Sequence, residues 1–283
     1  MKGRGLYLCL ILVLLCSSCA PNTASSAPSS VSDPIAGTTI SGPSSSLQPS
    51  YTKNPEPMLA QESTPTPEPL PLNGALICID PGHCVTPETG KGHRELVSPL
   101  SEETKPLYTT GTSGANMTEE QLNLTVGLQL RDALTALGAE VIMTREVSEI
   151  TISGIERCEI AHEAGADIAV HIHADGNNDP SVHGVSVLVP DGDLLGTPSI
   201  VEESVRLGEL MVNAVAAETG AKNRGTVPRS DMTAFNFSEI PSVLIEMGFM
   251  TNPEEDALLE TAEYQAKIVT GMVNSLLQWY GVD

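Results

Sequence analysis

The chain has 283 residues and a formal net charge of -22 at pH 7, with 14 basic side chains against 36 acidic ones. Phosphate binding needs a basic face, so this balance argues strongly against nucleic acid as a partner. Aromatic residues make up only 3% of the chain, so the core must be built from aliphatic side chains.

Residues 1–19 have the layout of a secretory signal, with a basic start, an apolar run at 6–15 and small residues before Cys19. The apolar run is too short to span a bilayer, which takes about 20 residues. Its end resembles a bacterial lipoprotein signal, in which Cys19 becomes the lipidated first residue of a membrane-anchored protein facing the cell wall. Cys16 stands where such signals usually have leucine, and ordinary cleavage with secretion is the alternative.

Residues 20–73 contain 28 Ser, Thr or Pro among 54 positions and show no apolar period. Such a stretch cannot bury enough surface to offset its ordering entropy, so we predict a disordered linker. As a coil it would span about 40 Å, which suits a tether between an anchor and its target. The remaining residues, 74–283, are long enough for one domain with its own core.

Three cysteines fall within the predicted domain: Cys78, Cys84 and Cys158. Their number is odd and none forms a close C-x-x-C pair, so they do not predict a disulfide framework. Cys78 and Cys158 are expected to be buried apolar side chains. Cys84 follows a histidine and is a further candidate metal ligand.

Strand and helix patterns alternate along the predicted domain. Apolar, β-branched runs predict strands, and helical spacing of apolar residues predicts helices. The strands are expected at 75–80, 141–143, 167–173, 185–189 and 243–246, and the helices at 118–137, 153–163, 199–218 and 254–279. Residues 84–116 show no period and are predicted to be a long loop. This alternation predicts an α/β domain with a mostly parallel central sheet flanked by helices.

Chemically active side chains occur at the carboxyl ends of three predicted strands. His83 follows the first strand, His173 ends the third and Glu246 ends the fifth. In a parallel sheet these ends meet at one edge, so the three side chains are expected to converge. Glu119 begins the helix that follows the long loop and is a candidate to face the same edge.

Two imidazoles and a carboxylate, with one position open to water, form a catalytic zinc site, and a second carboxylate can accept a proton from the water. The residues alone leave alternatives. His171 and His173 lie two apart on one strand face, so their spacing does not choose between them. Glu119 and Glu120 also fit the role of helix-dipole charges. Glu246 could instead pair with an arginine as a structural residue.

Five segments in order carry a resemblance to a known family: 79–83, 119–124, 157–167, 172–175 and 241–252. With these motifs, the chain from about residue 76 to its end resembles the zinc-dependent N-acetylmuramoyl-L-alanine amidases of the bacterial cell wall, the type 3 amidase family. One departure is Cys84-Val85, where the family commonly has Gly-Gly after the histidine. This departure bears on the shape of the cleft.

The resemblance implies roles at the matching positions. His83, Glu119 and His173 would hold Zn²⁺, Glu246 would transfer the proton, and His171 would have no place among the ligands. The bond cut would be the amide between N-acetylmuramic acid and L-alanine in peptidoglycan. The alternatives are a zinc peptidase acting on the stem peptide and a non-catalytic wall-binding lipoprotein on the same fold.

The expected partners are peptidoglycan and, through a lipid on Cys19, the membrane. An activator protein is a further expected partner if the cleft is gated. We predict that residues 84–116 lie over the zinc site because this segment directly joins two of the implied ligands, His83 and Glu119.

Overall fold

The computed structural model describes residues 69–85 and 92–282. The predicted signal, Cys19 and nearly all of the predicted linker lie outside these residues. None of the described helices combines the length and apolarity that crossing a membrane would require.

A central sheet and a separate two-stranded ribbon contain all the strands of the described residues. The strands are β1 Leu76–Pro81, β2 Arg94–Leu96, β3 Thr104–Pro106, β4 Glu140–Met143, β5 Ile168–Asp175, β6 Val185–Pro190, β7 Asn223–Arg229 and β8 Ser242–Phe249. The helices are α1 Glu119–Ala136, α2 Gly154–Ala164, α3 Val201–Thr219, α4 Thr233–Asn236, α5 Pro253–Leu259 and α6 Ala262–Trp279, with a short 3₁₀ turn at Pro198–Ile200.

The central sheet has six strands in the order β4-β1-β5-β8-β6-β7. The first four strands of this order are parallel to one another. The other two are parallel to each other, and β6 pairs antiparallel with β8. This arrangement confirms the predicted α/β domain with a mostly parallel sheet and flanking helices. The carboxyl ends of β1, β5 and β8 therefore lie side by side at one edge.

Helix α1 shows how local sequence sets the elements that flank the sheet. Thr118 and Gln121 form a capping box, in which each side chain accepts a hydrogen bond from the other residue's backbone N–H. Leu122, Val126 and Leu130 recur at helical spacing and are fully buried. The cap therefore fixes the start of α1, and Glu119 occupies its first position.

The two faces of the sheet are covered unequally. Helices α1, α3 and α6 share one large aliphatic core with the strands, and its buried members include Leu122, Met211 and Ile268. The opposite face carries two smaller clusters around Ala161 of α2 and Phe235 of α4. The thinner cover on this second face leaves a cleft near the carboxyl edge of the parallel strands.

Five features differ from the pattern read from the sequence, and the first is the four-residue helix α4, which was not predicted. Strand β7 was not predicted, because Gly225 and Pro228 interrupt it and four of its seven residues are exposed. The predicted final helix is two helices, since Thr261 caps α6 separately from α5. The predicted long loop contains β2 and β3. Finally, apolar patterning carries no information on strand direction, so the antiparallel entry of β6 was not foreseen.

The β2–β3 ribbon is fixed to the second face of the sheet by α4. The Thr233 hydroxyl donates to the Leu96 carbonyl (3.1 Å) and the Asn236 amide donates to the Val97 carbonyl (2.9 Å). Glu95 accepts from the backbone N–H of Ile155 at the start of α2 (3.2 Å). These contacts make the ribbon one wall of the cleft.

Candidate active site

The end of β1 places His83 at the carboxyl edge of the sheet. The Gly82 N–H donates to the Ile172 carbonyl (2.9 Å), which holds the chain against β5 beyond the end of β1. His83 then has a φ of 59°, and no other non-glycine residue in the described part of the chain has a positive φ. Such a conformation costs free energy, so the surrounding structure must hold it.

The ring of His83 is oriented by Thr109. Because a carbonyl oxygen can only accept, His83 Nδ1 donates its hydrogen to the Thr109 carbonyl (2.9 Å). The other ring nitrogen, Nε2, then lacks a hydrogen in the neutral imidazole and lies 3.0 Å from Glu119 Oε1. This is the arrangement in which a histidine presents a lone pair to a metal ion.

Glu119 lies between His83 and His173, the two histidines that the resemblance implies as metal ligands. Its Oε1 is 2.9 Å from His173 Nδ1 as well as 3.0 Å from His83 Nε2. Its Oε2 accepts from the Thr112 backbone N–H (2.8 Å). Burial raises the pKa of Glu119, but the contacts with the His173 and His83 rings outweigh it, so this pKa is lowered overall. The carboxylate is therefore held ionised.

Glu246 lies beside this group, since β8 pairs its position with His173 in the strand register. Its Oε2 is inaccessible to solvent and has no hydrogen-bond partner among the described residues. Burial, then the charges of Asp175 and Glu119, raise the pKa of Glu246 well above its ordinary value, and Arg229 partly opposes them. A buried, unpartnered carboxylate oxygen is costly unless a ligand completes it.

We name His83, Glu119, His173 and Glu246 the edge cluster. One ligand atom from each of the first three residues can be chosen so that all three atoms lie within 4.8 Å of one another. Two imidazole nitrogens and a carboxylate oxygen are the donor set of a catalytic zinc site. The residues present therefore fit a zinc ion.

His171, the alternative to His173, belongs to a second group of residues deeper in the sheet. Its Nδ1 lies 2.6 Å from Asp80 Oδ2 and its Nε2 lies 2.9 Å from the Ser242 hydroxyl, so both ring nitrogens are engaged. Asp80 also accepts from Arg157 and Thr144. We name these five residues the inner network.

Burial raises the pKa of Asp80, but Arg157 and His171 outweigh it and bring the pKa far below the ordinary range.

Two arginines contact the backbone turn that leads to the edge cluster, and the sequence alone gave neither a role. Arg157 donates to the carbonyl oxygens of Pro81 (2.9 Å) and His83 (2.8 Å). Arg145 donates to those of Pro81 (2.9 Å) and Gly82 (3.0 Å). Together they hold the turn that carries His83. Arg145 follows the carboxyl end of β4. The expectation that functional side chains follow the carboxyl ends of parallel strands could therefore have identified it from the sequence.

Other candidate ligands from the sequence lie outside the edge cluster. Glu120 faces Arg145, with 3.5 Å between its Oε1 and the guanidinium Nη1. Cys84 is buried with its sulfur near the Ile152 carbonyl (4.0 Å). Cys78 and Cys158 are buried and, like Cys84, form no disulfide within the described residues, as expected.

Two cavities meet at His83, His173 and Glu246. The ribbon-side cavity has a volume of about 300 Å³ and lies against β3, with Lys105 and Arg229 in its wall. The loop-side groove, of about 580 Å³, is lined by Asp175 and the residues that follow it. The edge cluster therefore lies in the middle of a continuous cleft and can act on a bond of an extended substrate.

The N-acetylmuramoyl-L-alanine amidase family, Amidase_3, matches residues 77–278 of the chain. The chain belongs to this family. The resemblance carried by the five sequence motifs is thus confirmed. The activity is that of an N-acetylmuramoyl-L-alanine amidase, a hydrolase of the bacterial cell wall, and this implies action outside the cytoplasm.

Individual relatives agree with the family match. The amidase Rv3717 of Mycobacterium tuberculosis is 27% identical over 212 residues, which cover 74% of this chain and 87% of the relative. The amidase AmiA of Escherichia coli is 27% identical over 210 residues, covering 60% and 72%. Among solved structures, the amidase Ami1 of Mycobacterium smegmatis matches with a TM-score of 0.68 and 28% identity, covering 74% of this chain and 98% of that one.

Proposed function

We propose that this amidase is zinc-dependent, with His83, Glu119 and His173 as the metal ligands and Glu246 as the residue that transfers the proton. The observation that carries the proposal is the edge cluster itself, whose three ligand atoms lie within 4.8 Å of one another. When bound there, zinc would polarise the substrate carbonyl and lower the pKa of water.

The contacts around the ligands support this assignment. Thr109 fixes the tautomer of His83, and Thr112 orients the Glu119 carboxylate through its backbone N–H. Such outer contacts hold metal ligands in position and are a regular part of zinc sites. His173 comes from a buried strand and His83 from a clamped turn, so the ligand set is organised by rigid elements.

Glu246 has the properties of a general base that later acts as a general acid. Its raised pKa and its unpartnered Oε2 suit a group that accepts a proton and then returns it. As water attacks the amide carbon, Glu246 accepts its proton. When the C–N bond breaks, Glu246 gives that proton to the leaving nitrogen of L-alanine. The products are a lactyl carboxylate on the sugar and a peptide with a free alanine amino group.

The test uses the full chain, loaded with zinc and incubated with peptidoglycan, followed by labelling and identification of new α-amino groups. We expect new N-terminal alanine from the parent protein. Glu246→Gln should retain about one zinc per chain and lose about 10²–10⁴-fold in rate. Glu163→Gln, the same change at an exposed position on α2, is the matched control and should behave as the parent.

Three outcomes would contradict the proposal in different ways. Full turnover by Glu246→Gln would remove the proton-transfer role. New amino groups on other stem-peptide residues would keep the metal chemistry but indicate a peptidase. Zinc binding without any new amine would indicate a wall-binding protein or an enzyme that needs an activator protein.

We also propose that a lipid on Cys19 anchors the enzyme and that residues 20–73 tether the domain, 74–283, to the membrane, apart from the last residues of this segment, where Leu72 is already buried in the core. The support is the signal-like layout of residues 1–19 and the Ser, Thr and Pro content of the tether. Metabolic labelling with a fatty acid should mark the parent chain and leave Cys19→Ser unlabelled. An unlabelled parent chain found in the medium would indicate a secreted enzyme instead.

A further inference from the structure

The cleft on the two sides of the edge cluster differs in charge. The loop-side groove is lined by the carboxyl groups of Glu119, Asp175 and Glu246, and no lysine or arginine of the described residues lines it. The ribbon-side cavity is lined by three cations, Lys105, Arg157 and Arg229, against three carboxylates, Asp80, Glu95 and Glu246, in a chain with only 14 basic side chains. This placement of scarce cations sets the two sides apart.

Lys105 is brought into the cavity wall by the ribbon. It stands opposite Glu95 in the register of β2 and β3 and is half-buried. Glu95 is engaged by the Ile155 N–H of α2, at 3.2 Å from Oε2. No hydrogen bond or ion pair joins the Lys105 ammonium to any other residue in the described part of the chain. Glu95 and Asp231 lie near enough to act on the charge of Lys105, but neither pairs with it directly, so its ammonium group can still bind a further carboxylate.

Arg229 supports the positive character of the same cavity. It ends β7 and is held by Asp231, which accepts from its Nε at 2.8 Å and its Nη2 at 2.9 Å. This two-point contact uses one edge of the guanidinium and leaves Nη1 unengaged by Asp231. Arg229 is thus fixed in direction while keeping a donor for another group.

We propose that Lys105, with Arg229 beside it, binds a free carboxylate on the stem-peptide residue that follows L-alanine. The ribbon-side cavity then receives the peptide, and the loop-side groove receives the uncharged glycan. This inference rests on the proposed function, because it places the scissile amide at the edge cluster.

Electrostatics favour binding with the peptide in the ribbon-side cavity over binding with the peptide in the loop-side groove. A carboxylate entering the loop-side groove would lose water and meet Asp175 and Glu119 without a lining cation, which is unfavourable. In the ribbon-side cavity it meets Lys105, for which a carboxylate is the natural partner. The cavity is also at the small end of ligand pockets, so it holds a short peptide segment close to the amide.

The experiment compares two muramyl dipeptides, N-acetylmuramoyl-L-alanyl-D-isoglutamate and N-acetylmuramoyl-L-alanyl-D-isoglutamine, both prepared with the γ-carboxyl group capped as a methylamide. The two compounds then differ only in a free α-carboxylate against an α-amide. We expect the zinc-loaded parent enzyme to prefer the carboxylate by about tenfold in kcat/KM. Lys105→Gln should lower that ratio to near one by losing the carboxylate substrate alone. Lys267→Gln removes the same charge on exposed α6 and should keep the ratio.

The inference fails if the parent enzyme does not distinguish the two compounds, or if Lys105→Gln lowers kcat/KM equally for both. Binding separates this failure from failure of the proposed function. Zinc-loaded Glu246→Gln should bind the carboxylate compound about tenfold more tightly than the amide, and adding Lys105→Gln should remove the difference. Equal binding of both compounds would overturn the subsite even where cleavage of the muramoyl amide is established.

Discussion

The inner network and the edge cluster use adjacent positions on the same strands, but they differ in whether all of their polar groups have hydrogen-bond partners. In the inner network, both nitrogens of His171 and both oxygens of Asp80 have partners. In the edge cluster, Glu246 keeps a buried oxygen without a partner among the described residues. A polar network in which every group has a partner helps to specify the fold. A network that lacks a partner for one group, further along the same strands, is prepared to bind a ligand.

The contacts between the two groups mainly support the edge cluster. The inner network and Arg145 hold the turn from Pro81 to His83 through carbonyl contacts. The edge cluster contributes less to the fold, since the His173 ring bonds only to Glu119 and Glu246 Oε2 has no hydrogen-bond partner among the described residues. We therefore expect damage to the edge cluster to remove activity while sparing stability, and damage to the inner network to affect both.

The largest effect is expected for His173→Ala. This change should remove zinc binding and amidase turnover, while the free energy of unfolding of the zinc-free protein changes by about 1 kcal/mol or less, because sites for ligands are rarely optimised for stability. Zinc content, product formation and urea unfolding give the three readouts. His183→Ala, at an exposed loop position, is the control and should retain all three. A fully active His173→Ala enzyme would remove this residue from the metal site.

Arg157→Leu tests the inner network. It removes the partner of a buried carboxylate, Asp80, and should lower the free energy of unfolding by about 3–5 kcal/mol. Arg206→Leu breaks an exposed pair with Glu203 and should cost about 1 kcal/mol or less. If Arg157→Leu fails to fold, Arg157→Lys can replace it. Lysine keeps the positive charge but lacks the several N–H donors of the guanidinium group, so the loss in free energy of unfolding should be intermediate. Equal costs at positions 157 and 206 would contradict the comparison.

Gly82→Ala tests how closely the clamped turn approaches the cluster. A Cβ at this position would lie 2.2 Å from ring atoms of His173, so the ring or the turn must move. We expect zinc affinity to fall by about 10–100-fold, the range found when the supports of metal ligands are disturbed. Gly220→Ala, where a Cβ meets nothing within 4 Å but φ is +74°, should cost stability and leave zinc affinity unchanged. Unchanged zinc affinity in Gly82→Ala would show that the contact is easily relieved.

The sequence was sufficient to place the edge cluster, because the carboxyl ends of parallel strands meet at one edge. It was not sufficient to separate His171 from His173, which share a strand face and differ only in their partners. Those partners come from distant positions, with Asp80 on β1 and Ser242 on β8. The spacing of residues along one strand gives no information about these partners. Only the family resemblance distinguished the two histidines.

The same reason explains what was missed elsewhere. The β2–β3 ribbon has only three residues in each strand and no sustained apolar run, because one side of it faces the cleft. Its position depends on contacts with α4, more than a hundred residues further along the chain. Lys105 could therefore be read from the sequence only as a loop residue, although the fold places it in the wall of the catalytic cleft.

The smallest expected effect is on the pH dependence of stability. The pKa of Asp80 is far lower in the folded protein than its unfolded value of about 3.9. Its contribution to stability is therefore complete above that value and is lost as the pH falls towards the folded pKa. Between pH 5 and pH 2, zinc-free parent protein should lose about 2 kcal/mol more than Asp80→Asn, as measured by urea unfolding.

Thr144→Val sharpens this last comparison, because it removes one hydrogen bond to Asp80 and leaves Arg157 in place. The pKa of Asp80 should rise partway towards its ordinary value, so the acid loss of stability should fall between those of the parent protein and Asp80→Asn. Thr270→Val, on the exposed face of α6, is the matched change and should follow the parent. A parent protein and an Asp80→Asn variant with the same acid dependence would mean that Asp80 is not held ionised by its partners.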